Sequence, residues 1–233
     1  MTTVLIVICV VSAALLVGAL WGVYGKLPDR VEGFIVAMAG GALVMSVIGE
    51  LVEPSLEESN VWVVILGLAI GAILFTAADY WIDEKLKSDK GTGLLAAVTF
   101  DGIPESLALG VALIGANAAQ VAALAGSILL SNLPEAAGGA KGMKEGGMKP
   151  RKILMLWGGA TALLALAAFI GNLALAGASE HVIAIIRCLA AGAVIASLAT
   201  EVFPKAYKED HHLAGIATAL GLIIAVLLES LSG

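Results

Sequence analysis

Runs of about 20 mostly apolar residues recur along the chain and are separated by short polar linkers. A helix needs about this length to cross the hydrocarbon core of a bilayer. Hydrophobic residues make up 60% of the 233 residues and charged residues only 14%, which leaves too little polar surface for a soluble domain. We therefore predict an all-α integral membrane protein in which residues 1–233 form a single transmembrane domain.

Eight segments meet the length requirement for a transmembrane helix. No basic residue precedes the first of them, so we interpret it as a span and not as a cleaved signal peptide. The predicted spans are Thr3–Tyr24, Val31–Val52, Val61–Ile82, Leu94–Ile114, Ala118–Ala137, Ile153–Ala176, Val182–Phe203 and Leu213–Leu231.

Lysine and arginine are confined to alternate linkers. All but one of the 13 basic residues follow predicted spans 1, 3, 5 and 7, and none lies in the termini or in the other linkers. Because cytoplasmic loops carry an excess of Lys and Arg, these four linkers are predicted to be cytoplasmic and both termini to lie outside. The remaining basic residue, Arg187, lies inside span 7, and we expect its side chain to extend to the membrane surface.

Two predicted spans place a proline directly before a glutamate near the membrane centre. Span 4 contains Asp101–Glu105 with the sequence DGIPE, and span 5 contains Ser131–Glu135 with the sequence SNLPE. A charged side chain at the bilayer centre costs about 2.5–3.5 kcal/mol on insertion scales, so acids retained there indicate a function. Each proline also leaves the carbonyl four residues earlier without its helical donor.

The spacing of the polar residues predicts a cation site. Asp101 and Glu105 are four residues apart and share one helix face, and Ser131 and Glu135 repeat that offset. Carboxylates, a hydroxyl, freed carbonyls and the Asn132 amide are oxygen donors of the kind that hard or borderline divalent cations require. The alternative is that the prolines only kink the helices while protonated acids bond to the backbone.

Predicted spans 2 and 7 resemble each other. Ala39–Glu50 aligns without a gap to Ala190–Glu201, and a proline follows each segment. These spans run in opposite directions, as do spans 4 and 5, and inverted pairs around a midplane site are typical of secondary transporters. Glu201 is therefore a further candidate ligand. Glu50 either shares this role or belongs to an interfacial acidic patch with Glu53, Glu57 and Glu58.

Two pairs of small residues four positions apart are candidates for close helix packing, because such pairs allow membrane helices to approach each other. They are Gly67 and Gly71 in span 3, and Ala217 and Gly221 in span 8. We expect them to pack within one subunit; the alternative is the interface of a homodimer.

These motifs resemble the ZIP (Zrt/Irt-like) family of divalent metal transporters, and most closely its bacterial GufA-like branch. The resemblance covers most of the chain and is strongest in DGIPESLALGVAL, SNLPEA and AAGAVIASLATEVFPKAY. It implies an eight-helix bundle with a 3+2+3 inverted repeat that moves zinc, iron, manganese or cadmium toward the cytoplasm by alternating access. The metal would be cargo and not a prosthetic group. The implied location is a cell membrane, of the prokaryotic inner-membrane type, with lipid and metal ions as partners and no nucleic acid.

The resemblance assigns ligands residue by residue. Glu105, Asn132 and Glu135 match family positions, Asp101 stands where the family has histidine, and Ser131 where this branch has glutamine. The implied metal ligands are Asp101, Glu105, Ser131, Asn132, Glu135 and Glu201. The family's span 6 glutamate has no counterpart here. Because imidazole is missing, the site shifts toward oxygen ligands and toward Mn²⁺, Fe²⁺ or Mg²⁺ relative to a relative that has histidine.

Two other functions remain open from the sequence. A divergent family member could bind metal or protons as a sensor or scaffold without transport. An intramembrane enzyme would need paired aspartates or a zinc site with histidine near the midplane. No histidine lies in a predicted span core, and Asp79 and Asp101 lie at different depths, so we predict that the protein is not an enzyme.

Overall fold

A computed structural model describes residues 2–86, 99, 102–103, 105–107, 109–114, 118–175 and 177–232. All regular secondary structure in these residues is helical. The described residues between 99 and 112, here called the 99–112 segment, are helical as well. The longer helices are α1 (Thr2–Tyr24), α2 (Asp29–Glu58), α3 (Val61–Leu86), α4 (Ala118–Glu145), α5 (Pro150–Leu175), α6 (Glu180–Glu209) and α7 (Ala214–Ser232).

Five of these helices, α1, α2, α3, α5 and α6, are long and apolar enough to cross a bilayer, and α7 contains a shorter apolar stretch, Ala214–Leu228. Their outward faces carry large apolar side chains. Trp62, Ile73 and Met155 are 68%, 66% and 69% exposed, respectively. Extended apolar surfaces of this kind mark contact with a membrane or a partner. In the described residues, the prediction of an all-helical chain with helices that can cross a membrane is confirmed.

The helices extend further than the predicted spans, so several predicted linkers are wrong in part, three of them by two turns or about that. Glu53–Asn60 is helical up to Glu58, Gly138–Lys152 up to Glu145, and Pro204–His212 up to Glu209. Packing explains the extensions, because the added helical turns are packed in the bundle and are not fully exposed to solvent. In two of them Ser55 is fully buried and Ala206 is 1% exposed.

Two helices change their hydrogen-bonding pattern at an acidic residue. Helix α2 is π-helical over Ile48–Val52, around Glu50, and α6 is π-helical over Leu198–Val202, around Glu201. At the end of each π segment a backbone N–H bonds to the carbonyl five residues earlier. A proline follows two residues after each segment, and it has no N–H for the usual bond four residues back. Single π turns in α-helices occur often at functional sites.

Helices α2 and α7 pack backbone against backbone through glycine. A β-carbon at Gly41 would overlap the Thr218 carbonyl oxygen, and one at Gly221 would overlap the Met38 carbonyl oxygen. Only a residue without a side chain permits this approach.

Helices α3 and α6 pack in the same way. Gly71 lies against the Leu189 carbonyl, and Gly192 lies against the Leu68 carbonyl. Gly192 and Gly41 are matching positions of the two aligned sequence segments, so the two helix pairs share a register. Gly67 meets Cys188 of α6, so the predicted small-residue motif of span 3 packs within the chain.

The helices that carry the candidate ligands are also held at glycines. A β-carbon at Gly18 or Gly22 of α1 would overlap the carbonyl of Leu133 or Ala137 of α4. Gly110 of the 99–112 segment lies against the Ala168 carbonyl of α5. These contacts fix α4 and the 99–112 segment at close backbone distance from their neighbours.

The glycine contacts predict a matched difference in stability. Gly41→Ala forces α2 and α7 apart, and overpacking of this kind costs roughly 1–3 kcal/mol, so we expect a lower melting temperature in detergent. At Gly159, by contrast, a β-carbon would meet no atom within 4 Å. Gly159→Ala should therefore leave the melting temperature unchanged or raise it, because alanine favours a helix by about 1 kcal/mol. Equal effects of the two substitutions would contradict this packing.

Candidate cation site

Glu105 lies between two adjoining pockets and lines both. The larger encloses about 330 Å³, including its open mouth, and the smaller about 210 Å³. The larger pocket is mostly apolar, with Leu43, Leu51 and Val194 among its lining residues. The smaller pocket contains more polar groups, including the side chain of Asn132. A half-buried carboxylate therefore faces two narrow spaces, each with room for about one water molecule or a bare cation.

Helix α4 brings Ser131 to this carboxylate. The Ser131 hydroxyl lies 3.3 Å from Glu105 Oε1 and 3.0 Å from the Ile128 carbonyl oxygen, and it can donate to either. Ser131 is 4% exposed and Asn132 is 6% exposed. The sequence predicts Ser131 and Glu135 on one helix face, but the Ser131 hydroxyl points to Glu105 of the neighbouring segment.

Glu135 follows the buried Pro134 inside α4. Because proline has no N–H, it cannot donate the usual helical hydrogen bond to the carbonyl of Leu130. Glu135 is half-buried and interacts electrostatically with Glu105, with Glu201 of α6 and with Lys205 of α6. Acids from three elements thus act on one another here.

The structure brings some predicted ligands closer together than others. Glu105, Ser131 and Asn132 lie around the smaller pocket and its rim, and they offer a carboxylate, a hydroxyl and an amide oxygen. Glu135 and Glu201 lie within electrostatic range, and Asp101 lies outside the described residues. Within the described part of the chain, no three His, Cys, Asp or Glu side chains are close enough to hold one metal ion. The donors present are those that a hard divalent cation accepts.

A buried ion-pair cluster lies at the lysine-rich end of the bundle, and the sequence interpretation missed it. Glu32, in the first turn of α2, is only 3% exposed. Its carboxylate accepts from Lys141 of α4 at 3.1 Å and pairs with Lys205 of α6 at 3.0 Å. Lys141 also pairs with Asp29. An acid at the second residue of predicted span 2 was the available signal.

The Lys141 ammonium is stabilised by its carboxylate partners. Partial burial disfavours the charged form, but hydrogen bonds to Asp29 and Glu32 outweigh it and raise the pKa of Lys141 above its ordinary value. Lys141 therefore stays charged throughout the physiological range, and the cluster persists as an ion pair.

A second ion pair joins the end of α2 to the start of α6, at the other end of these two helices from the Glu32 cluster. Arg187 Nη1 donates to both carboxylate oxygens of Glu58 at 3.1 and 3.0 Å. Arg187 is 7% exposed, so the prediction that its side chain extends to the membrane surface is wrong. The Glu58 carboxylate neutralises the buried guanidinium, whereas the buried Arg187 Nε has no hydrogen-bond partner among the described residues.

Comparison of the chain with protein-family models and with curated protein sequences gives no match.

The two residues of the Arg187–Glu58 ion pair are buried to different extents. Replacing one or the other should therefore destabilise the protein by different amounts. The Arg187 side chain is 8% exposed and that of Glu58 is 29% exposed. Glu58→Ala leaves a buried guanidinium unpaired, for which the cost approaches the roughly 3–5 kcal/mol of a broken buried pair. Arg187→Met leaves a carboxylate that water can reach, so its cost is smaller.

Thermal unfolding in detergent measures both variants and the double variant Glu58→Ala/Arg187→Met. We expect the double variant to be more stable than Glu58→Ala alone, because neither charge is then left unpaired. A double variant that is less stable than both single variants would contradict the assignment.

Proposed function

We propose that the protein is a divalent metal cation transporter of the zinc, iron and manganese class, resembling the GufA-like branch of the ZIP family. The observation that carries the proposal is the position of Glu105, which lies between two pockets and accepts from Ser131 of α4. Both residues belong to the paired motifs in which proline precedes glutamate. In this function the ion moves toward the cytoplasm by alternating access.

The packing supports an inverted-repeat architecture of eight spans. The α2·α7 and α3·α6 pairs meet at matching glycines, and α2 and α6 each contain a π segment shortly before a proline. Two halves of opposite orientation account for both similarities. In this proposal the predicted span 94–114 is the fourth span and both termini lie outside.

The proposed ligands divide by chemistry. Asp101, Glu105 and Glu135 supply charge, Ser131 and Asn132 supply neutral oxygen, and Glu201 is an accessory or gating ligand. An oxygen-only set favours Mn²⁺ or Fe²⁺ over the more nitrogen- and sulfur-seeking Zn²⁺ relative to a site with histidine. The three histidines are exposed and belong to none of the described pockets.

A second candidate is a sensor or scaffold that binds the cation without moving it. The observation that favours it is that the described acids are spread out, with no three of the described His, Cys, Asp or Glu side chains close enough to share one ion. Binding without flux would appear as stabilisation by metal, which scales with the logarithm of ion concentration over the dissociation constant.

Uptake by proteoliposomes tests the transporter. Mn²⁺, Fe²⁺, Zn²⁺ and Cd²⁺ should enter vesicles that contain the protein, and Glu105→Ala should abolish entry because the central carboxylate is lost. Glu57→Ala is the matched control, since Glu57 is an exposed acid at the end of α2 and its loss should leave uptake unchanged.

Undiminished uptake by Glu105→Ala would overturn the ligand assignment. Metal-dependent stabilisation of the purified protein without any uptake would favour the sensor over the transporter. Competition between ions in the uptake assay ranks them. We expect Mn²⁺ to compete with Zn²⁺ better than it does at a site that contains histidine.

A further inference from the structure

Glu32 joins three helices at one buried point. Both of its carboxylate oxygens are used, Oε2 by Lys141 of α4 and Oε1 by Lys205 of α6. Its side chain is 4% exposed, whereas that of Lys205 is 37% exposed. The cluster is therefore a buried anion held by two partly solvated cations, since the Lys141 side chain is also 18% exposed.

This cluster lies directly beyond the candidate ligands along two helices. Gly138 is three residues after Glu135 on α4, and a β-carbon there would meet Glu32 Oε1 and Lys205 Nζ. Lys205 is four residues after Glu201 on α6, so both steps are about one helical turn. The Lys205 charge also acts on Glu135.

The space at Glu105 extends away from this cluster. The larger pocket is lined by Leu51 and Leu109, which lie further from the lysine-rich end on α2 and on the 99–112 segment. Neither described pocket that Glu105 lines includes a residue of the cluster. In the described residues, the space at Glu105 thus lies on the side of the carboxylate away from the ion pairs.

We propose that Glu32, Lys141 and Lys205 form the cytoplasmic gate of the cation pathway, and that Lys205 couples the gate to the ion. A cation at Glu135 and Glu201 repels the Lys205 ammonium and weakens its pair with Glu32. Lys205 can leave because its flexible side chain already contacts solvent. The inference rests on the proposed transport function for the identity of the ion, but the barrier itself is independent of it.

Cysteine labelling tests the barrier without transport. In a background with Cys9 and Cys188 replaced by alanine, Ser131→Cys places a thiol beside Glu105. An impermeant cationic thiol reagent is added to inverted membrane vesicles, which expose the cytoplasmic face, in the absence of divalent metal. Glu32→Gln and, separately, Lys205→Gln should raise the labelling rate roughly tenfold, a change equivalent to about 1.4 kcal/mol in the opening equilibrium.

Lys144→Gln is the matched control. Lys144 is exposed at the same end of α4 and donates to the Val23 carbonyl, outside the cluster. Its loss should leave the labelling rate at that of the parent. Either gate variant alone decides the question if the other does not fold.

The coupling between Lys205 and the bound ion is tested separately by measuring Mn²⁺ affinity in protein without the Ser131→Cys substitution. Removing the Lys205 charge should tighten binding of Mn²⁺, by roughly threefold or more, because a cation no longer opposes the ion. A lysine that only braces the helices would not tighten binding when lost. Unchanged or weaker Mn²⁺ binding by folded Lys205→Gln overturns the coupling.

The outcomes separate the gate from the transporter. Unchanged labelling in folded Glu32→Gln and Lys205→Gln overturns the gate, even where the parent transports Mn²⁺. Faster labelling in both variants supports the gate, even where the parent carries no flux and the transport proposal itself fails.

Discussion

Backbone hydrogen bonding inside the bilayer is the constraint on which this structure depends. Lipid offers no partner for a free N–H or carbonyl, so irregular backbone is tolerated only where it lines a cavity or is buried in protein. The departures from regular helix fall beside acids: the π segments around Glu50 and Glu201, and Pro134 directly before Glu135. Because each departure and each buried acid is costly, their coincidence favours a polar pathway over a structural accident.

The same helices are held by two kinds of contact, namely close backbone packing at glycines and ion pairs between side chains. Glycines such as Gly41 and Gly192 bring backbones together, and such contacts cannot loosen without losing close packing. At the two ends of α2 and α6, ion pairs made by Glu32 and Glu58 hold the helices through side chains. An ion pair can exchange a partner for water or for another cation, which a glycine contact cannot do. A conformational change at the site would therefore begin at the charges.

Much of the fold could be predicted from the sequence, because hydropathy and the separation of lysines between linkers are strong signals. The segments Val61–Ile82 and Thr3–Tyr24 agree with α3 and α1 within a few residues. Helix ends past the apolar runs were missed, since helices continue as long as packing supports them. The π segments follow from the prolines only in hindsight, and Glu32 escaped because its partners, Lys141 and Lys205, are distant in sequence. The sequence indicates which residue types could form the candidate site, but contacts such as that of Ser131 with Glu105 depend on helix rotation.

Anomalous diffraction from crystals soaked in Mn²⁺ shows whether the Glu105 carboxylate binds a cation, because it locates the ion without assuming transport. We predict a peak within about 2.0–2.6 Å of a Glu105 carboxylate oxygen, the range for hard cations on oxygen ligands. Glu135 and Asn132 should lie on the same side of that peak, and the peak should disappear in Glu105→Gln crystals. A peak found only among the surface acids, or one that persists at full height without the Glu105 carboxylate, would contradict this prediction.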